Sequence, residues 1–154
     1  MVDVTYNINN LRSWMEKENL DAIIIPHQDE YLSEYLPPQN ERLNWATGFT
    51  GSAGMAIVGK DKAAIFVDGR YTVQVQEQVD KNIFDILHLT DNPYMDWIID
   101  NFSMNSKIGY NSKLNTPIWF DNISKKLNEY NLVSLDENPI DVLWSNRPSS
   151  QIDK

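Results

Sequence analysis

The chain has no cysteine, only two histidines, and 13 Lys and Arg against 22 Asp and Glu. Without a thiol, disulfide scaffolds, Cys-ligated zinc and thiol nucleophiles are excluded, and the redox compartment stays open. The shortage of cations leaves a formal net charge of −9. A surface of that sign repels phosphate, and no Lys/Arg cluster reverses it locally, so neither nucleic acid nor a membrane is an expected partner. Long apolar runs are also missing. The longest uninterrupted aliphatic run, Ala22 to Pro26, falls far short of the roughly 20 residues of a membrane span. The start, MVDVTYNINN, lacks the basic and apolar regions of a secretory signal, so a cytoplasmic location is expected. The Asn-x-Ser sequons at Asn101 and Asn122 then read as chance matches.

What is present suits one ordinary domain. The 154 residues are 42% hydrophobic and 23% charged, and a chain of this size buries roughly two thirds of its unfolded surface without staples. Ile8, Leu11, Trp14 and Met15 recur at helical spacing, predicting a helix over 7–18 with Asn7 as its N-cap. Asp21 to Pro26 is a β-branched run ended by proline, the pattern of a strand covered on both faces. Residues 27–44 form a polar excursion around Pro37-Pro38, with room for a short helix near Tyr31 to Tyr35. Met55 to Val58 and Ala63 to Asp68 read as an antiparallel hairpin. A short helix within 71–79 suits the strand expected at 84–89 better than a further strand does. Helices are then predicted at 93–102 and 116–129, the latter with Thr116 as N-cap and Pro117 at its first position. Strands are predicted at 107–110 and 132–135, and a last short helix at 139–144. The alternation gives an α/β fold.

Several constellations can carry chemistry. Four of the six glycines fall between Gly48 and Gly59, but Gly48, Gly51 and Gly54 lead into a strand, whereas a phosphate-binding loop opens a helix. Ser52 nearly spells a nucleophile elbow, yet Thr50 stands where that motif needs glycine and no helix follows. Its hydroxyl is expected to bond the loop's own backbone. His27 leaves the end of the first strand, where open α/β sheets bind ligands; the adjacent Asp29 and Glu30 are well explained by a following helix dipole. His88, in an apolar run, is read as structural. Trp45 and Phe49 either line a pocket or pack in the core, and the core is expected for aromatics of a soluble domain. Arg70, directly after Gly69 at the end of an apolar strand, delivers five fixed donors to the sheet edge. There it either clamps a carboxylate or carbonyl of a ligand or pairs with Asp68 or another acid of the domain.

His27-Gln-Asp-Glu-Tyr31, Ser33-Glu-Tyr35, Pro38, Arg42-Leu-Asn-Trp-Ala-Thr-Gly-Phe-Thr-Gly-Ser-Ala-Gly54, Phe66-Val-Asp-Gly-Arg-Tyr71 and Pro139-Ile-Asp-Val-Leu-Trp-Ser-Asn-Arg-Pro148 follow one another in fixed order. Together they resemble the N-terminal domain of cytosolic-type Xaa-Pro aminopeptidases, the aminopeptidase P enzymes of the creatinase/prolidase family. The likeness runs from about Leu11 to Pro148. It implies a mixed sheet of about six strands flanked by helices, with residues 1–144 as the domain and 145–154 as the start of a linker.

The same resemblance implies that catalysis resides in a separate C-terminal domain. There, carboxylates and a histidine hold two divalent ions, commonly manganese, that activate water. No stretch here resembles that domain, so the chain is expected to be inactive alone and to hold no cofactor. Its implied role is to orient a peptide with proline at its second position, to wall the cleft and to contact the partner subunit of a homodimer. The resemblance places Arg70 at the substrate, and adds Ser52, in the region from which creatinase reaches into a neighbouring active site with different residues, and His27, inside a motif of its own. Two rivals are a stand-alone α/β binding or interaction domain, and a small hydrolase using Ser52 with His88.

Overall fold

The computed structural model describes residues 4–26, 42–49, 54–67, 71–88, 94–111, 117–135 and 139–143. Helix α1 (Val4–Lys17) buries Ile8, Leu11 and Met15 along one stripe, as their spacing predicts. It starts ahead of the expected cap. Asn7 lies inside the helix, and its Nδ2 donates to the Trp45 carbonyl at 2.9 Å, so the side chain tethers a second helix instead of closing the first. At the other end Asn19 adopts φ 59°, and the Leu20 N–H returns to the Met15 carbonyl at 2.9 Å, the left-handed termination that asparagine tolerates.

The elements that follow are β1 (Ala22–Pro26), α2 (Arg42–Thr47), β2 (Gly54–Gly59), β3 (Ala63–Val67), α3 (Thr72–Gln78), β4 (Asp85–His88), α4 (Tyr94–Asn101), β5 (Lys107–Asn111), α5 (Pro117–Lys126), β6 (Asn131–Leu135) and α6 (Pro139–Leu143). The strands form one six-stranded sheet in the order β4-β3-β2-β1-β5-β6. β2 runs against both neighbours, and every other adjacent pair is parallel. The β2–β3 turn is closed by the Gly59 N–H on the Lys62 carbonyl, the short link that only antiparallel neighbours permit. The parallel pairs β3/β4 and β5/β6 are bridged by α3 and α5.

Alternation along the strands separates two cores, as the two-residue side-chain period demands. Ile23, Ile25, Ala56, Val58, Ile65 and Val67 pack with α1, α2, Val75 of α3, Val79 just after it, and Ile140 of α6. Ala22, Ile24, Met55, Ile57, Ala64 and Phe66 pack with Trp97 and Ile98 of α4 and Ile123 of α5. β1 and the hairpin strands are therefore covered on both faces.

The predicted α/β alternation, the hairpin and the mixed six-stranded sheet are all present, with boundaries differing by a residue or two except at the start of α1 and the end of α5, which differ by three. The main departure is α2, a helix that begins within the polar excursion read over 27–44 and runs to Thr47, where no element was predicted. Helix α5 stops at Lys126, and residues 127–130 finish in turns anchored by the Leu127 N–H on the Ile123 carbonyl at 2.8 Å. The helix expected near Tyr31 to Tyr35, the Thr116 cap and the linker 145–154 lie outside the described residues.

Candidate functional site at one end of the sheet

Three register pairs define the candidate site. Pro26, the last residue of β1, lies opposite Met55; Gly54, the first of β2, lies opposite Val67, the last of β3; and Val67 pairs in turn with His88, the last of β4. Because β2 runs against its neighbours, the chain leaves β1 toward His27, enters β2 from Ser52 and leaves β3 toward Arg70 at the same end of adjacent strands. His27, Ser52 and Arg70 themselves lie outside the described residues. The structure thus supplies the frame from which their segments spring.

That frame is tightly built. Thr47 ends α2 with its hydroxyl on the Leu43 carbonyl at 2.7 Å, and the Phe49 N–H donates to the same hydroxyl oxygen at 3.1 Å. Between them Gly48 takes φ +84°, and a Cβ there would stand 3.1 Å from the Gln78 carbonyl at the end of α3. Only glycine enters this corner without strain. Gly48→Ala is expected to cost about 1–2 kcal/mol from the left-handed backbone alone, read as a lower urea midpoint with an unchanged m-value. Gly54 is equally crowded: a Cβ would meet the Phe66 carbonyl at 3.1 Å and Phe49 Cε2 at 3.3 Å.

Phe49 and Tyr71 bound the two chemistry-bearing segments on their described sides. Phe49 is fully buried, and the Tyr71 ring meets it edge-on, with centroids 5.7 Å apart and planes at 82°. Trp45 is buried as well, so both aromatics weighed as pocket lining are core. Arg42, the first residue of α2, is held inside at 2% exposure. His88 is half-buried at the end of β4. Sequence reasoning named Tyr71 only as part of a motif. An aromatic on the far side of each segment, Phe49 before the glycines and Tyr71 after Gly69-Arg70, was the available signal for their contact.

Two ionisable groups shifted from their ordinary values sit at the opposite end of the sheet. Burial pushes the Arg12 guanidinium down against the opposing pull of Asp61, and its Nε donates to the Gly59 carbonyl at 2.8 Å. Burial, then Glu129 and Asp100, push the Tyr130 phenol up, and its hydroxyl donates to the Phe102 carbonyl at 2.9 Å. Both brace the bottom of the fold, away from the candidate site. Among the described residues no group of three His, Asp or Glu side chains converges, so no described position fits the pair of ions that the sequence resemblance implies for a further domain. Nor is any described helix long and apolar enough to cross a membrane.

Comparison with known proteins accords with this architecture. Residues 7–143 match the Creatinase/Prolidase N-terminal domain. The chain is 37% identical to Xaa-Pro aminopeptidase 2 of Rattus norvegicus over 150 residues, covering 96% of this chain and 22% of that protein. It is also 37% identical to a probable Xaa-Pro aminopeptidase P of Laccaria bicolor, covering 96% and 24%. Among solved structures, the X-prolyl aminopeptidase of Caenorhabditis elegans, a cytosolic enzyme with a di-nuclear active site, superposes with a TM-score of 0.87 at 26% identity over 96% of this chain and 26% of that one. The N-terminal domain of the cytoplasmic peptidase PepQ from Mycobacterium tuberculosis shares the fold, with a TM-score of 0.71 at 20% identity over 90% of this chain and 98% of that one. The chain therefore spans about a quarter of the length of the curated relatives it matches. With residues 7–143 matched and 96% of the chain aligned to relatives at 37% identity, this chain belongs to the creatinase/prolidase N-terminal domain family.

Proposed function

We propose that the chain is the non-catalytic N-terminal domain of a metal-dependent Xaa-Pro aminopeptidase, which releases the N-terminal residue preceding proline. The observation that carries this is the match of nearly the whole chain to about a quarter of enzymes named for that activity. The hydrolytic centre, with two divalent ions of which manganese is the expected identity, belongs in this reading to a following domain. Support for two ions comes from the di-nuclear site of the Caenorhabditis elegans enzyme. The domain's own part is to wall the cleft, to contact the catalytic domain or the partner subunit of a homodimer, and to grip the peptide. Arg70 orients the substrate through its guanidinium, and Ser52 and His27 are assigned to the same grip because the strands they adjoin in sequence end or begin at the same edge of the sheet. A cytoplasmic location belongs to the same reading.

Division of labour makes the test direct. The full-length polypeptide carrying this chain, purified with manganese, is expected to hydrolyse an Ala-Pro peptide, and the 154-residue chain alone is expected to show no hydrolysis above the no-enzyme control. Release of alanine, followed by chromatography, is the readout. Cleavage by the isolated chain would overturn the proposal, and inactivity of the full-length polypeptide would turn it toward a binding module.

A further inference from the structure

We infer that Tyr71 is a positioning residue for Arg70, and that its edge-on contact with Phe49 fixes the Arg70 segment relative to the Ser52 segment. The inference rests on the reading of Arg70 as a substrate-binding group.

Phe49 is an unusually fixed surface to pack on. It is fully buried, its N–H is held by the Thr47 hydroxyl, and its Cε2 lies against the tight start of β2 at Gly54. Tyr71 sits at the N-cap position of α3 without a side-chain capping hydrogen bond, so satisfying the helix's first N–H groups does not explain the ring. Helix α3 is also pinned at its other end. The Gln78 carbonyl rests against Gly48, the Val79 N–H closes on the Val75 carbonyl at 3.0 Å, and Val75 and Val79 are buried. The seven-residue helix is thereby clamped at both ends onto residues 48–49, the two that lead into the Ser52 segment. Its first clamp is one peptide bond from Arg70. A long, flexible side chain gains orienting power from a stationary Cα, and displacements of about 1 Å at a positioning group cost up to roughly a hundredfold in rate.

The test is a kinetic cycle in the full-length polypeptide on an Ala-Pro peptide. Tyr71→Leu removes the ring and keeps apolar bulk, Tyr71→Phe keeps the ring edge, and Phe49→Leu removes the opposite face. Each variant is assayed below its melting temperature, with the folded fraction set by circular dichroism. Tyr71→Leu and Phe49→Leu are each expected to lower kcat/KM by about tenfold, more through kcat than through KM, while Tyr71→Phe stays within about twofold. In an Arg70→Ala background, Tyr71→Leu should change kcat/KM by less than about twofold, because the group it positions is gone. A full Tyr71→Leu effect in that background, or unchanged kinetics for Tyr71→Leu where Arg70→Ala is impaired, overturns the positioning role. Unchanged kinetics for Arg70→Ala instead overturns the reading beneath it.

Discussion

Arg70→Ala in the full-length polypeptide is expected to lower kcat/KM for an Xaa-Pro peptide by about tenfold to a thousandfold, the equivalent of one charge-assisted contact of about 1.5–4 kcal/mol. Metal content, measured by atomic emission, should stay unchanged. The expectation follows from where the chain turns. Val67 ends β3 at the sheet end where Gly54 and His88 also lie, and Asp68, Gly69 and Arg70 come next. A guanidinium leaving that end offers a planar fork that a peptide carbonyl or carboxylate fits, and its charge does not switch off at any working pH. Arg70→Lys keeps the charge but loses the fork, and is expected to fall between wild type and Arg70→Ala. A rise in KM with constant kcat would mean that the arginine grips the peptide equally in ground and transition states; a matching fall in kcat and kcat/KM would mean that it orients the scissile bond. Wild-type kinetics in both variants would return Arg70 to a structural pairing within the domain.

The elements that could be read in advance are those whose pattern is local. Ile23-Ile24-Ile25 with its terminal proline, the hairpin around 60–62, and the alternation of strands and helices through the second half depend on neighbours in sequence. Helix α2 was not legible because its support is not local. Six residues containing Asn44 and Thr47 are too few to hold a helix by propensity. Asn7, thirty-eight positions away, supplies a donor for the Trp45 carbonyl, and the Thr47 hydroxyl ties the last turn to Phe49. The same long-range bond explains why Asn7 misled as a cap: a short amide before an apolar stripe looks alike whether it satisfies its own helix or another one. For the candidate site, motifs marked Arg70, Ser52 and His27 individually. What brings their segments to one end is the central place of β1 between β2 and β5, together with the pairing of Gly54 with Val67. The second relation follows from the hairpin, but the first leaves no trace in residue spacing.

Phe66→Ala is expected to produce the largest loss of stability, about 3–5 kcal/mol as for other buried phenylalanines. Phe66 has no exposed surface and meets two rings edge-on, Tyr94 at 6.4 Å and Trp97 at 6.2 Å, and Trp97 meets Phe102 at 5.7 Å. Truncation therefore opens a void between β3 and α4 that the neighbouring rings can only partly fill, and it removes two aromatic contacts as well. Against a typical total of about 5–15 kcal/mol, the variant should unfold at a melting temperature lower by roughly 10–15 °C. Phe66→Leu, which keeps most of the volume, should lose about 1–1.5 kcal/mol. Intrinsic tryptophan fluorescence in a urea titration of the chain reads both. Activity separates this position from the candidate site, because Phe66 points to the α4/α5 face whereas Phe49 and Tyr71 pack on the other. Alanine leaves the backbone pairing of Phe66 with Met55 available, so in the full-length polypeptide, assayed well below its melting temperature, kcat/KM should stay within about threefold. A stable Phe66→Ala would contradict the aromatic packing. A folded Phe66→Ala with the kinetics of Arg70→Ala would mean that strain crosses the sheet from one core to the other, and the frame at Gly54 and Val67 would then depend on both faces.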